Sequence, residues 1–365
     1  MVKKVRNGEI DILRFLFAIF IFLHHFGCCG YQKEILKKGY LGVEFFFLLT
    51  GYFMARNAKR FLSAQSEFKA LPLSQEQITA QTWHFLLNKI KSFYPYYLFA
   101  VCIKLVFVLF TTPLKKALEL IFKSLPTFLL LLYPLNWSAK GVYVTATWFL
   151  SAMIISIFLL YPLLIYKEKI MSGIVFPILS FFLLGYLWQK YKTLNVHGQY
   201  ITFCYTGVLR AISEIALGVF VAFVSENLDK KIGDKATSLA KLFFTAVKYM
   251  IFAVIIIYIA VGGNHRKLDL HVLLFLCVAL VLSVSQLTHK IRGSELTDFL
   301  GKASLIVYIF HGVLFDISKK SLELQQLEFR DFAILSAVNF LLCFVLHEIL
   351  QMLIFFFSKS KNNGD

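Results

Sequence analysis

The chain has 365 residues, 58% of them hydrophobic and 17% aromatic, with a mean hydropathy of +0.70. Soluble domains carry about 45–50% apolar residues, so this composition describes an integral membrane protein and excludes a soluble globular one. The net charge of +17 is scattered between apolar runs and never gathers into one basic domain. That excludes a nucleic-acid binder and fits loops anchored on the anionic headgroups of membrane lipids.

In chain order, ten apolar runs are long enough for a hydrocarbon core of about 30 Å: 10–29, 40–55, 94–112, 147–166, 172–188, 204–225, 243–262, 270–288, 303–317 and 332–357. They predict an all-α, polytopic helix bundle of about ten transmembrane helices. An eleventh stretch, 117–134, is interrupted by Lys123, Pro126 and Pro134 and reads as a re-entrant or interfacial element. With ten spans, the N-terminus, the segment 56–93, the loops near 167, 226–242 and 289–302, and the C-terminal tail share one side. That side carries Lys3, Lys4, Arg6, Arg56, Lys59, Arg60, Lys89, Lys91, Lys230, Lys231 and Lys235. The positive-inside rule makes it the cytoplasm, with both termini there.

The basic start before the first run imitates a signal peptide, but the run is long and lacks a small-x-small cleavage site, so it is expected to stay as the first membrane helix. The longest extramembrane segment, 57–93, is polar and helix-prone. Its end, Trp83 to Pro95, mixes aromatics with Lys89 and Lys91, as an interfacial helix does. The cysteines, Cys28, Cys29, Cys102, Cys204, Cys277 and Cys343, fall within or at the ends of apolar runs without metal-like spacing. They read as small core residues, with neither a disulfide framework nor a metal site.

Arg14 and His25 lie eleven residues apart in the first run. Eleven helical steps fall within about 20° of three turns, so both project from one face, roughly 16 Å apart along the axis. Asp11 shares that face. A guanidinium at membrane depth is costly unless it faces a partner or a wet cavity. A neutral imidazole is a competent general base for a hydroxyl, and a guanidinium holds phosphate or carboxylate. The bland alternative is a packing histidine with a snorkelling arginine. His24, 100° around the helix, reads as a bystander. Glu44, between Gly42 and Gly51 in the second run, is either a proton-relay carboxylate or a partner for Arg14 or His25.

These stretches carry a resemblance. The start Arg6-Asn7-Gly8-Glu9-Ile10-Asp11-Ile12-Leu13-Arg14, His25, and the run Gly42-Val43-Glu44-Phe45-Phe46-Phe47-Leu48-Leu49-Thr50-Gly51 resemble the membrane-bound acyltransferase 3 family. Further matches follow in order: Tyr94-Pro95-Tyr96 opening the third helix, Trp148-Phe149-Leu150-Ser151-Ala152 opening the next clear span, Arg210-x-x-x-Glu214-x-x-x-Gly218, and Ser304-x-x-x-Tyr308-x-x-His311. The resemblance covers essentially the whole chain. It implies a single membrane domain over 1–357 with a short cytoplasmic tail at 358–365, in a multi-pass protein of the bacterial cytoplasmic (inner) membrane.

The resemblance further implies transfer of an acyl group, commonly acetyl, from cytoplasmic acetyl-CoA or another acyl-CoA to a hydroxyl of a cell-surface or lipid-linked glycan. The family's arginine and histidine motif falls on Arg14 and His25. His25 is then the general base, Arg14 positions the donor with Lys89, Lys91 and Arg56, and Glu44 orients His25 or stays protonated. Many members carry arginines before the Tyr-Pro of the third helix; here Lys89 and Lys91 stand instead, which keep charge but lose the bidentate fork. Direct transfer and a route through an acetyl-imidazole on His25 both remain open. Trp148 suits an aromatic belt or a sugar-stacking wall, and Tyr308 and His311, three apart on one face, line an acceptor pocket or serve as core. The Arg210–Glu214 pair, four apart on one helix, reads as structural. No metal is implied. Some members carry a fused extracytoplasmic hydrolase-like domain that finishes the transfer, so this chain is expected either to work alone or to hand the acyl group to a separate extracytoplasmic transferase partner.

One rival is a multispan exporter or flippase of a glycan or lipid-linked precursor, in which Arg14, Glu44 and Arg210 mark a substrate path. Another is a polysaccharide polymerase or ligase. It would need a large outer loop, and apart from 113–146 the outer loops are short. Motif order favours acyl transfer.

Overall fold

A computed structural model of the chain describes residues 7–28, 36–68, 73–130, 144, 146–201, 204–233, 235–262, 267–322 and 328–362. The helices are α1 (Gly8–Cys28), α2 (Gly42–Phe68), α3 (Gln75–Thr111), α4 (Leu114–Lys123), α5 (Leu125–Phe128), α6 (Thr147–Tyr166), α7 (Glu168–Ile170), α8 (Phe176–Tyr191), α9 (Thr206–Leu228), α10 (Ser238–Val261), α11 (Asp269–Val284), α12 (Glu295–Ser321) and α13 (Phe329–Asn362). A π-helical turn, Met171–Val175, joins α7 to α8, and another, Asp229–Gly233, extends α9. A two-residue hairpin pairs Tyr200–Ile201 with Cys204–Tyr205 just before α9. Each of the ten apolar runs falls on a helix. Among the described residues, seven helical segments are long and apolar enough to cross a membrane by length and composition.

Burial separates the bundle into two layers. The apolar stretches of α6, α9 and α12 are 67%, 67% and 72% buried, against 28% for α3 and for the α7–α8 segment, and 22% for α10 and for α13. Residues such as Phe181, Phe243 and Phe355 are exposed on the outer helices, as lipid-facing side chains are. Inside, α2 crosses α9 at a glycine pair. A Cβ on Gly51 would collide with the Ile215 carbonyl oxygen, and one on Gly218 with that of Leu48. Without a hydrophobic drive between helices in lipid, such close backbone approach is what holds them together.

Two buried charge clusters tie α1 and the turn after it to the outer helices. Lys248 of α10 donates to Glu9 at 2.7 Å, and Ser283 donates to the same carboxylate at 3.1 Å. Beyond the other end of α1, Asp269 accepts from Lys38 at 3.1 Å, from Tyr40 at 2.6 Å and from Thr193 at 3.1 Å. A lone charge there costs several kcal/mol, which a partner and added hydrogen bonds offset.

The helix-prone segment 56–93 is helical as expected over most of its described residues, with α2 running on to Phe68 and α3 beginning at Gln75. Several other expectations need correction. Ser74 starts α3 with a capping box: its hydroxyl accepts from the Gln77 N–H at 3.2 Å, and the Gln77 side-chain oxygen Oε1 accepts from the Ser74 N–H at 3.0 Å. Tyr94-Pro95-Tyr96 therefore lies inside α3 and does not open it, and Trp83 to Pro95 is no separate interfacial helix. A proline removes one backbone donor, and the helix continues past it. The stretch 117–134 forms the two short helices α4 and α5 as far as it is described, with 131–134 outside the described residues. Cys343 is buried, but Cys102 is exposed on α3 instead of in the core, and the Cys28 and Cys29 side chains lie outside the described residues.

Candidate active site

Helix α1 brings its polar residues to two cavities. The larger, of about 350 Å³, is lined by Arg14 of α1, Thr50 of α2, Lys89 and Ser92 of α3, and Ser304 and Tyr308 of α12, between aromatic walls that include Phe46, Phe85 and Phe149. Arg14 also reaches Asp11 one turn back, Nη1 to Oδ1 at 3.4 Å. Two cations at a mostly apolar cavity make a place for an anion with an uncharged arm.

The smaller cavity, of about 90 Å³, lies toward the other end of α1. His24, His25, Tyr40, Trp148, His197, Arg210, Tyr308 and His311 line it. The His25 and His311 rings lie 5.0 Å apart between centroids. His311 Nδ1 approaches the Tyr308 carbonyl oxygen at 2.8 Å and that of Val307 at 3.2 Å. His24 Nδ1 lies 3.2 Å from the Leu36 carbonyl oxygen. No group of three or more His, Cys, Asp or Glu among the described residues has the arrangement to hold a metal ion.

Tyr308 lines both cavities. Its ring is held at 5.2 Å from Phe149 and 5.9 Å from Phe46, so it stands where the cationic cavity and the histidine cavity meet.

A buried charge triad backs the histidine cavity. Arg210 Nη2 is 2.7 Å from Glu44 Oε1, and its Nε donates to Glu214 Oε1 at 3.1 Å. The guanidinium carbon is 5.6 Å from the centroid of the Trp148 ring, which stacks on His197 at 4.7 Å. His197 sits in the loop between α8 and α9, where burial first and the Arg210 charge second push its imidazole down to about 4. It is thus neutral at physiological pH.

The structure brings together much of the set expected from sequence. Arg14 shares a cavity with Lys89, and His25 shares one with Trp148, Tyr308 and His311. Trp148 is buried at the start of α6 and is not part of a lipid-facing belt. Three residues stand elsewhere. Lys91 is exposed, because two helical steps from Lys89 turn it about 200° away. Arg56 lies one turn beyond Tyr52 and acts on Tyr52 and Lys290 without lining either cavity. Glu44 meets Arg210, not Arg14 or His25.

Sequence reasoning passed over others. His24 lines the cavity, Arg210 faces it as well as bracing the bundle, and His197 and Tyr40 complete the wall. The excess of acid over base offered a signal for Arg210: Glu44 and the Arg210–Glu214 pair leave one buried carboxylate in search of a cation. No local signal marked His197, whose place depends on the α8–α9 loop folding back over α6.

A family model described as an acyltransferase domain matches residues 7–348. No curated protein and no solved structure matches the chain.

Proposed function

The chain belongs to the membrane-bound acyltransferase 3 family, and from that premise we propose that this multi-pass acyltransferase moves an acyl group, acetyl in the first instance, from cytoplasmic acyl-CoA to a hydroxyl of a glycan or lipid-linked saccharide at the cell envelope. The observation that carries the reading is the meeting of two cavities at Tyr308, one with Arg14 and Lys89, the other with His25.

The chemistry follows from that division. Arg14 and Lys89 hold donor phosphates at the larger cavity, whose apolar walls suit the uncharged pantetheine arm. The arm delivers the thioester carbonyl to the junction beside Tyr308. His25 takes the proton of the acceptor hydroxyl as its oxygen attacks that carbonyl; the C–S bond then breaks and the proton passes to the thiolate. Positioned proton transfer is worth about 10² to 10⁴ in rate, and holding two substrates together supplies more. Trp148, Tyr308 and the His311 ring wall the acceptor side.

With the termini and the α2–α3 turn in the cytoplasm, the donor enters from inside and no acyl carrier has to cross the bilayer. Membrane vesicles test this. Radiolabel from acetyl-CoA enters extractable glycan in inverted vesicles, whose cytoplasmic face is outside, and not in sealed right-side-out vesicles. Equal labelling in both orientations, or none in either with acceptor present, contradicts the reading.

A further inference from the structure

His311 carries a chemistry that the transfer step above leaves unused. The residue is 1% exposed in α12. Its Nδ1 lies against two backbone carbonyl oxygens, of Tyr308 at 2.8 Å and Val307 at 3.2 Å. A carbonyl oxygen only accepts, so Nδ1 carries the hydrogen and donates it, and the neutral ring keeps its lone pair on Nε2. That nitrogen is buried and has no hydrogen-bond partner among the described residues, on a ring that lines the His25 cavity. A histidine serving only to pack helices is satisfied by its carbonyl contact. It has no need to present a bare, backbone-fixed lone pair to a polar cavity.

His25 is differently held. Among the described residues its ring meets other rings, His24 at 5.5 Å and His311 at 5.0 Å, whereas the orienting hydrogen bond expected behind a general base belongs to His311. The fixed charge facing the pair is Arg210, balanced by Glu44 and Glu214. That triad sums to zero or minus one, so it tolerates a transient imidazolium beside it. The remaining polar neighbours, Tyr40, His24, His197 and Tyr308, bring no second fixed cation.

Resting on the acyl-transfer reading, we propose that His25 and His311 form a two-imidazole relay, in which the proton taken from the acceptor hydroxyl is shared with Nε2 of His311 until the thiolate receives it. The O–H and C–S bonds break, the O–C and S–H bonds form, and both rings end the cycle as they began. The helix backbone sets the tautomer of His311, so no reorganisation is needed when the proton arrives.

The test uses the full chain in membrane vesicles as wild type, His311→Ala and His311→Asn, with retention of a photoactivatable CoA analogue as the measure of an intact donor site. The relay predicts that both variants retain the probe, lose kcat on the order of 10²-fold and keep the acceptor KM within about threefold. It also predicts that free imidazole restores part of the rate in His311→Ala. An unchanged kcat with a raised acceptor KM makes His311 a wall of the acceptor site and overturns the relay. Loss of the probe by His311→Asn assigns the residue to packing and also overturns it. A wild type that transfers no acyl group from any acyl-CoA sinks the acyl-transfer reading itself, and the relay with it.

Discussion

Arg210 on α9 closes on Glu44 of α2 at 2.7 Å, about two helical turns from the glycine crossing of the same two helices, and its other edge holds Glu214. The pair links the packing of the bundle to the wall of the histidine cavity. Removing the cation leaves two buried carboxylates facing each other, and breaking a buried pair in this way typically costs about 3–5 kcal/mol. Arg210→Met is expected to lower Tm in detergent markedly, and a triple change to Arg210→Met, Glu44→Gln and Glu214→Gln to recover a large part of the loss. A triple variant no more stable than the single one would show that the charge balance is not what holds this crossing.

The crossing itself predicts a second effect. Gly51→Ala and Gly218→Ala each push a methyl into a backbone carbonyl, and backbone, unlike a side-chain end, does not swing aside. Overpacking of this kind costs about 1–3 kcal/mol. Thermal unfolding should show either alanine variant destabilised, with activity falling further than stability because the Glu44–Arg210 contact is displaced along with the helices.

In the larger cavity, proposed to take the donor, Arg14 and Lys89 are lining residues while Lys91 is not. A hydrogen bond to a charged group is worth about 1.5–3 kcal/mol, and 1.4 kcal/mol is tenfold in affinity. Arg14→Ala and Lys89→Ala are each expected to raise the KM for acyl-CoA by about tenfold or more. Lys91→Ala should leave it within about twofold. A steady-state titration of the donor checks all three, and a Lys91 effect equal to that of Lys89 would move the donor site off this cavity.

His197 gives a pH dependence. Its imidazole is pushed from 6.5 down to about 4 by burial beside Arg210. Between those values the unfolded chain binds a proton that the folded chain refuses, so folding stability falls as pH drops through that window and is complete above it. At pH 5 the loss amounts to about 1–2 kcal/mol. Replacing the residue, as in His197→Gln, should shrink the difference in Tm between pH 7 and pH 5. An undiminished difference in the variant would place the acid sensitivity on another group.

The helices were legible because hydrophobic run length is a local property: every one of the ten runs became a helix, although helix ends overran the apolar limits at Phe68 and Gln75. The grouping of Arg14 with Lys89 came from the family resemblance, while Tyr308 and His311 read as lining an acceptor pocket or serving as core, without His311 being paired with His25. Helical period says which way a side chain points along its own helix but not which helix it meets. That is why Glu44 was left with two candidate partners, Arg14 and His25, and met neither, and why Arg56 and Lys91 were grouped with Lys89 by charge alone. His197, in a loop with no periodicity to read, became visible only when the chain folded that loop over Trp148.

In the proposed acyl transfer from acyl-CoA, His25 handles the proton. The direct measurement is incorporation of radiolabelled acetyl from acetyl-CoA into extractable glycan, in inverted vesicles holding wild type or His25→Ala at matched expression. Label is expected with the wild type, and a loss on the order of 10² or more with the variant. Equal labelling by both would contradict the assignment of His25.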